Sequence, residues 1–198
     1  MSSLSSPLRK GTIVVLNGTS SSGKSSIAVE LQRQAPELQF LHLQLDVFRA
    51  MEPPGYWADE YRDQASLRFE ALCRAMNKAA AQFAACGQNV FIDHVLTSKA
   101  LAYMLEDLID HRVLFVGVKC SEEELCRREH SRGNRPLGLA QSQLASVHAH
   151  CLYDIEVDTS CTSAASTALS LAQWLRESPE ATAHPRMQHA RSAASLEL

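Results

Sequence analysis

The sequence predicts an α/β fold, with one parallel five-stranded sheet carrying helices on both faces. Three observations support this. Five short runs rich in Val, Ile, Leu and Phe, bounded by turn residues, have the look of buried strands. Longer segments with helically spaced apolar positions alternate with them, and this alternation is what a parallel sheet requires. Several of the runs also end in polar residues (Asn17, Asp46, Asp93). In such sheets, ligands collect at the carboxyl ends of the strands.

The first strand is TIVVLN, Thr12 to Asn17, followed by a helix from Lys24 that stops before Pro36. The second run, LQFLHLQLD, ends at Asp46, and the two prolines and glycine of VFRAMEPPGYW describe a loop. Residues 59–86 are alanine-rich with helical spacing, and Gly87 suits a C-cap. NVFIDHV forms the third strand, 98–109 the next helix, and RVLFVGVKC the fourth strand. The serine and acidic residues of SEEEL suit a helix N-terminus, after which the segment turns basic at Arg127, Arg128, Arg132 and Arg135. A helix over 139–151, the strand YDIEVDT and a helix over 164–177 complete the pattern. One domain over residues 1–177 is expected. Residues 178–198 show no periodic apolar face and read as a mobile or loosely packed tail.

Composition narrows the function. At 198 residues, 45% hydrophobic and 21% charged, the chain fits a globular protein with one core. A net charge of -3 argues against a general nucleic-acid or membrane-surface binder. No apolar run reaches the roughly 20 residues that span a bilayer, and MSSLSSPLRKG lacks the apolar centre of a signal peptide. The six cysteines form no C-x-x-C pair, so free thiols in a reducing, cytoplasmic setting are expected.

The chemistry is concentrated in Gly18-Thr19-Ser20-Ser21-Ser22-Gly23-Lys24-Ser25, followed by Ser26. It matches G-x-x-x-x-G-K-[ST] at every fixed position, between a strand and a helix. Small residues let backbone N–H groups turn inward around phosphate oxygens, and the following helix dipole adds to the attraction. The expected class is therefore a P-loop NTPase fold, with Lys24 on the β- and γ-phosphates of ATP and Ser25 on Mg²⁺. Asp93 reads either as a Walker-B acid meeting the Mg²⁺ shell, on the substrate side of the strand ends, or as a cap for the next helix. Asp46 reads as a base for an attacking hydroxyl or as a helix cap, and Phe48, Met51, Tyr56 and Trp57 beside it could wall an acceptor pocket. His94 could contact the acceptor or be a structural histidine. Arg132 and Arg135 suit a lid that neutralises charge on a transferred phosphoryl group. Of the adjacent pair Arg127 and Arg128, only one can face the nucleotide.

On VVLNGTSSSGKSS, LDVFRAM, VFIDHV, FVGVKC, SRGNRPLGLAQSQ with His148 after it, and YDIEVDT, the chain resembles the chloramphenicol phosphotransferase family. The likeness runs from about Ile13 to Thr159. It implies a Mg²⁺- and ATP-dependent kinase acting on a hydroxyl of a small antibiotic-like molecule, with Asp46 as general base and Arg132 and Arg135 holding phosphates. Two departures fall on the acceptor side. His94 stands where the family tends to have a second acid, and EPPGYW is compact where members often carry a longer segment. A kinase of another metabolite or aminocyclitol, or a nucleotide-binding regulatory protein, remains open, as does a homo-oligomer. ATP is favoured over GTP because the Asn77-Lys78 pair is followed by Ala79-Ala80-Ala81 rather than by a guanine-reading N-K-x-D.

Overall fold

The computed structural model describes residues 9–56, 63–132 and 138–196. Strands β1 (Ile13–Asn17), β2 (Phe40–Gln44), β3 (Asn89–His94), β4 (Val113–Lys119) and β5 (Ile155–Asp158) form one sheet in the order β2-β3-β1-β4-β5. Every pairing is parallel. The helices are α1 (Lys24–Gln34), α2 (Leu45–Arg49), α3 (Ala65–Ala85), α4 (Ser98–Asp107), α5 (Glu122–Arg132), α6 (Leu139–Val147), α7 (Ala164–Arg176) and α8 (Ala183–Leu196).

Strand alternation divides the core in two. Ile13, Val15, Val90, Ile92, Val113 and Phe115 face one layer, packed by Met76 and Ala80 of α3 and Met104 of α4. Val14, Leu16, Phe91, Leu114 and Val116 face the other, packed by Ile27 and Leu31 of α1 and Leu171 of α7. Both faces of the central strands are therefore buried, which explains their uninterrupted apolar runs.

Three expectations need correction. The second strand stops at Gln44, and residues 45–49 form α2 rather than a loop, so Asp46 lies in a helical first turn. The helix expected over 139–151 ends at Val147. The expected loose tail carries α8, with Ala183, His184 and Met187 buried. The apolar stripe of α8 is too short to register as periodicity, and its anchoring joins core packing of Ala183 and Met187 to polar bonds. Asp154 Oδ1 accepts hydrogen bonds from the backbone N–H of Thr182 (2.8 Å) and of Ala183 (2.9 Å) at the helix start. Gln188 donates to the Leu105 carbonyl at 2.9 Å.

Candidate active site

The register brings the chemistry together. Leu16 lies opposite Asp93, and Gln44 lies opposite Asp93 on its other side, so β1, β3 and β2 end side by side. The chain then leaves β1 through the glycine-rich loop. A Cβ on Gly18 would come within 2.4 Å of the Val118 carbonyl oxygen, so only glycine lets the loop pass β4 here. Gly23 turns into α1 at φ 94°, a left-handed conformation that glycine adopts at little cost.

Thr19, Ser20, Ser21, Ser22 and Lys24 are all buried. Lys24 Nζ donates to the carbonyls of Gly18 (3.0 Å) and Thr19 (2.7 Å) and lies 3.9 Å from Asp93 Oδ1. Ser25 Oγ donates to Asp93 Oδ2 at 2.5 Å, and His42 Nε2 lies 3.5 Å from the same oxygen. Burial disfavours the Asp93 charge, but His42, Lys24 and Ser25 outweigh it and hold the carboxyl below the usual aspartate range. The buried hydroxyls of Ser21 and Ser22 make no hydrogen bond within the described residues. Unsatisfied donors in a buried cradle fit a loop built to meet phosphate oxygens. A serine hydroxyl beside an ionised carboxylate fits Mg²⁺, which takes few protein oxygens and keeps several waters.

Behind the loop, Arg128 is held on three sides. It donates to the Ser21 carbonyl (3.3 Å), the Thr159 carbonyl (2.6 Å) and Glu124 (2.7 Å). Thr159 Oγ donates to the Ser22 carbonyl at 2.8 Å, fastening the end of β5 to the loop. A cavity of about 270 Å³ opens here beside Gly23, Ser26, Arg128 and Thr162. Of the adjacent arginines, Arg128 bonds to the loop; Arg127 is largely exposed and pairs with Glu124 at 2.6 Å, yet it too lines this cavity, against the expectation that only one of the two would face it. Glu129, also buried, accepts from the backbone N–H of Gly138 (2.9 Å) and of Ala140 (2.7 Å), tying α5 to the start of α6.

In front of the loop lies a second cavity, of about 290 Å³. Lys24, Ser25 and Asp93 form one wall, and Asp46, Leu45, Phe69, Val95 and Gln143 contribute to the others. Gln143 Oε1 accepts from the Ser20 N–H at 2.7 Å, so α6 braces the loop from this side. His94 is 4% exposed. Its Nε2 lies 3.6 Å from Cys73 Sγ, and burial lowers its pKa to about 4, leaving it neutral. A further polar group supports the loop from beneath. Asn17 Nδ2 donates to the Val147 carbonyl and to Tyr153 Oη, both at 2.8 Å, and the Tyr153 hydroxyl lies 2.6 Å from His148 Nδ1. Gly117 lets the Tyr153 ring lie against β4, since a Cβ there would meet the ring at 2.8 Å.

A profile of chloramphenicol phosphotransferase-like proteins matches residues 11–176. The chain belongs to the chloramphenicol phosphotransferase-like family. A Mycobacterium tuberculosis protein named Putative O-phosphotransferase is 32% identical over 202 aligned residues, covering 89% of this chain and 85% of its own. Among solved structures, the fold is similar to the APS kinase of Mycobacterium tuberculosis in complex with AMPPNP and APS, with TM-score 0.61 and 19% identity over 84% of this chain and 98% of that one. Shikimate kinase from Acinetobacter baumannii in complex with shikimate gives TM-score 0.62 and 15% identity, covering 86% and 96% of the two chains. The tunicamycin resistance protein of Deinococcus radiodurans gives 0.59 and 15%, covering 84% and 96%. The chain is thus a phosphotransferase with the P-loop kinase fold.

Within this family member, the residues singled out in the sequence divide unevenly. Ser21, Gly23, Ser26, Arg127 and Arg128 line the rear cavity, while Ser20, Lys24, Ser25, Asp46, Asp93 and His94 line the front one. Phe48 instead packs against the core. Met51 is 72% exposed. The Tyr56 ring lies 3.9 Å beneath the Arg68 guanidinium. None of these three lines the front cavity, whose apolar surface comes from Leu45, Phe69 and Val95. Trp57, Arg135 and the Arg132 side chain lie outside the described residues. Sequence reasoning passed over His42, Gln44, Phe69, Gln143 and Thr159. For Thr159 a signal existed, since it ends the YDIEVDT segment. Among the described residues no helix is long and apolar enough to cross a membrane, and all six cysteines are free.

Proposed function

We propose that the protein transfers the γ-phosphoryl group of ATP to a hydroxyl of a small, antibiotic-like molecule, chloramphenicol being the first acceptor to try. The observation that carries this reading is the front cavity itself, where Asp46 shares one space of about 290 Å³ with Lys24, Ser25 and Asp93. A carboxylate there can take the proton of an attacking alcohol, and its neighbours can hold the phosphates.

In this reading the loop N–H groups and Lys24 bind the β- and γ-phosphates, and Arg128 and Thr159 fix the loop from behind. Ser25 and Asp93 would hold Mg²⁺, which neutralises charge on the phosphate oxygens when bound. Asp46 accepts the acceptor's hydroxyl proton as the alcohol oxygen attacks, and Leu45, Phe69 and Val95 exclude water around it. Transfer converts alcohol and ATP into a phosphate ester and ADP, with the proton left on Asp46. Arg132 and Arg135 are assigned to the phosphate side from their place in the sequence.

The test is an ADP-release screen against hydroxylated antibiotics, aminocyclitols and metabolites, with mass spectrometry of the products. The expected result is acceptor-stimulated ADP release, with a product heavier by one phosphoryl group. Tight stoichiometric nucleotide binding, with no acceptor raising ADP release, would point to a regulatory nucleotide-binding protein instead.

A further inference from the structure

Two side chains on β2 link the front cavity to the carboxylate of the nucleotide loop. His42 and Gln44 are two residues apart on one strand, so they project from the same face. Gln44 lies opposite Asp93 in the register and lines the front cavity. Its Nε2 can only donate, and it lies 3.2 Å from His42 Nδ1. Nδ1 must therefore be the acceptor, which places the ring proton on Nε2. Nε2 faces Asp93 Oδ2 at 3.5 Å, and the imidazole side chain is 7% exposed. It has no closer hydrogen-bond partner among the described residues. The same oxygen accepts the Ser25 hydroxyl at 2.5 Å, while Oδ1 lies on the Lys24 side at 3.9 Å.

We propose that His42 is a positioning residue. Gln44 locks its Nε2–H tautomer, and that N–H together with Ser25 holds Oδ2, fixing the Asp93 carboxylate with Oδ1 towards Lys24. The inference rests on the reading of Ser25 and Asp93 as the Mg²⁺ side of a nucleotide site. Partners that orient ligating groups typically contribute 10–100-fold to metal affinity. A buried histidine kept only for packing would contribute nothing to the metal dependence of nucleotide binding.

The experiment measures ADP affinity by calorimetry, with Mg²⁺ and with a chelator, for the wild type, His42→Leu and His42→Gln. It adds ¹⁵N NMR of the His42 ring in nucleotide-free protein. The wild type should bind ADP more tightly with Mg²⁺. His42→Leu should lose about 10–100-fold of the Mg²⁺-dependent affinity while keeping its affinity in chelator, which also reports that it folds. His42→Gln, whose amide nitrogen can stand near the Nε2 position, should recover most of the loss. NMR should find the Nε2-protonated tautomer, giving way to a mixture in Gln44→Leu. Wild-type Mg²⁺ dependence in His42→Leu, equal loss in both His42 variants, or an Nδ1-protonated ring would each overturn the positioning role alone. A wild type that binds ADP equally with Mg²⁺ and with chelator would overturn the Mg²⁺-side reading of Ser25 and Asp93, and the inference with it; one that binds no ADP at all would overturn the nucleotide reading itself.

Discussion

The two cavities beside the loop are built from different materials. Around and behind the loop, charges are paired and held. Lys24 lies near Asp93, and Arg128 is bonded to Glu124, Ser21 and Thr159. In front, apart from the loop residues, Asp93 and Asp46, the walls are apolar or neutral: Leu45, Phe69, Val95, Gln143 and an uncharged His94. A polyanion needs fixed dipoles and cations, which a family can reuse whatever the acceptor. An alcohol needs shape and one base, which can change with each substrate. On the proposed reading, the loop and the charges paired around it define the reaction, and the outer walls of the front cavity define what is phosphorylated.

The largest expected effect tests Asp46, the carboxylate of the front cavity that lies away from the loop's Lys24–Ser25–Asp93 wall. Asp46→Asn keeps the size of the side chain but removes its basicity. Acceptor phosphorylation should fall by about 10²–10⁴-fold, the usual worth of general-base assistance, with ATP affinity almost unchanged. A helix-cap role predicts the opposite pattern, a melting temperature slightly lowered and turnover kept. Acceptor turnover, ATP affinity and melting temperature on this one variant separate the two.

Next in size is Lys24→Ala, which strikes the charged half. Its ammonium lies over the loop carbonyls and beside Asp93, so its loss removes a preorganised charge from the phosphates. Turnover should fall by about 10²–10³-fold. If single-turnover rates with saturating ATP matched the wild type, the loop would not hold the reacting phosphates. Phe69→Ala is expected to do less, and only in front. Losing one apolar wall should raise the acceptor KM about tenfold or more, the scale for a hydrophobic pocket contact, with ATP affinity intact. A change in ATP affinity as large as the change in acceptor KM would erase the division between the halves.

How much of this the sequence disclosed follows the same division. The loop itself was legible because its residues are local: eight consecutive positions specify it, between an apolar run and a helix. The front half draws Leu45, Phe69 and Gln143 from three helices and Val95 from the segment after β3, and nothing in one dimension brings them together. Phe48, Met51 and Tyr56 looked suitable because they follow Asp46 in sequence. The turn into α2, however, sends Phe48 to the core and leaves Met51 in solvent. The helix α8 escaped notice for a related reason. Asp154, which anchors its first residues, comes nearly thirty positions earlier.

The smallest expected effect concerns stability and tests whether the front wall is neutral. Burial lowers the pKa of His94 to about 4, against an ordinary value of 6.5. Between those two values the unfolded chain binds a proton that the folded His94 refuses. Stability therefore rises with pH through this window, is complete above about pH 6.5, and is lost progressively as pH falls towards 4. One such group contributes at most about 1.4 kcal/mol per pH unit within the window. His148 and His184, also lowered to about 4 by burial, add to the same acid sensitivity from outside the front wall. His94→Gln removes one of the three without adding a charge. Its melting temperature should decline less steeply than the wild type's between pH 6.5 and 4.5, whatever its starting value at pH 7. Parallel curves for the two proteins would mean that folded His94 takes up protons in that range. The acceptor side would then carry a cation of its own in mild acid, and the contrast with the charged nucleotide side would hold only near neutrality.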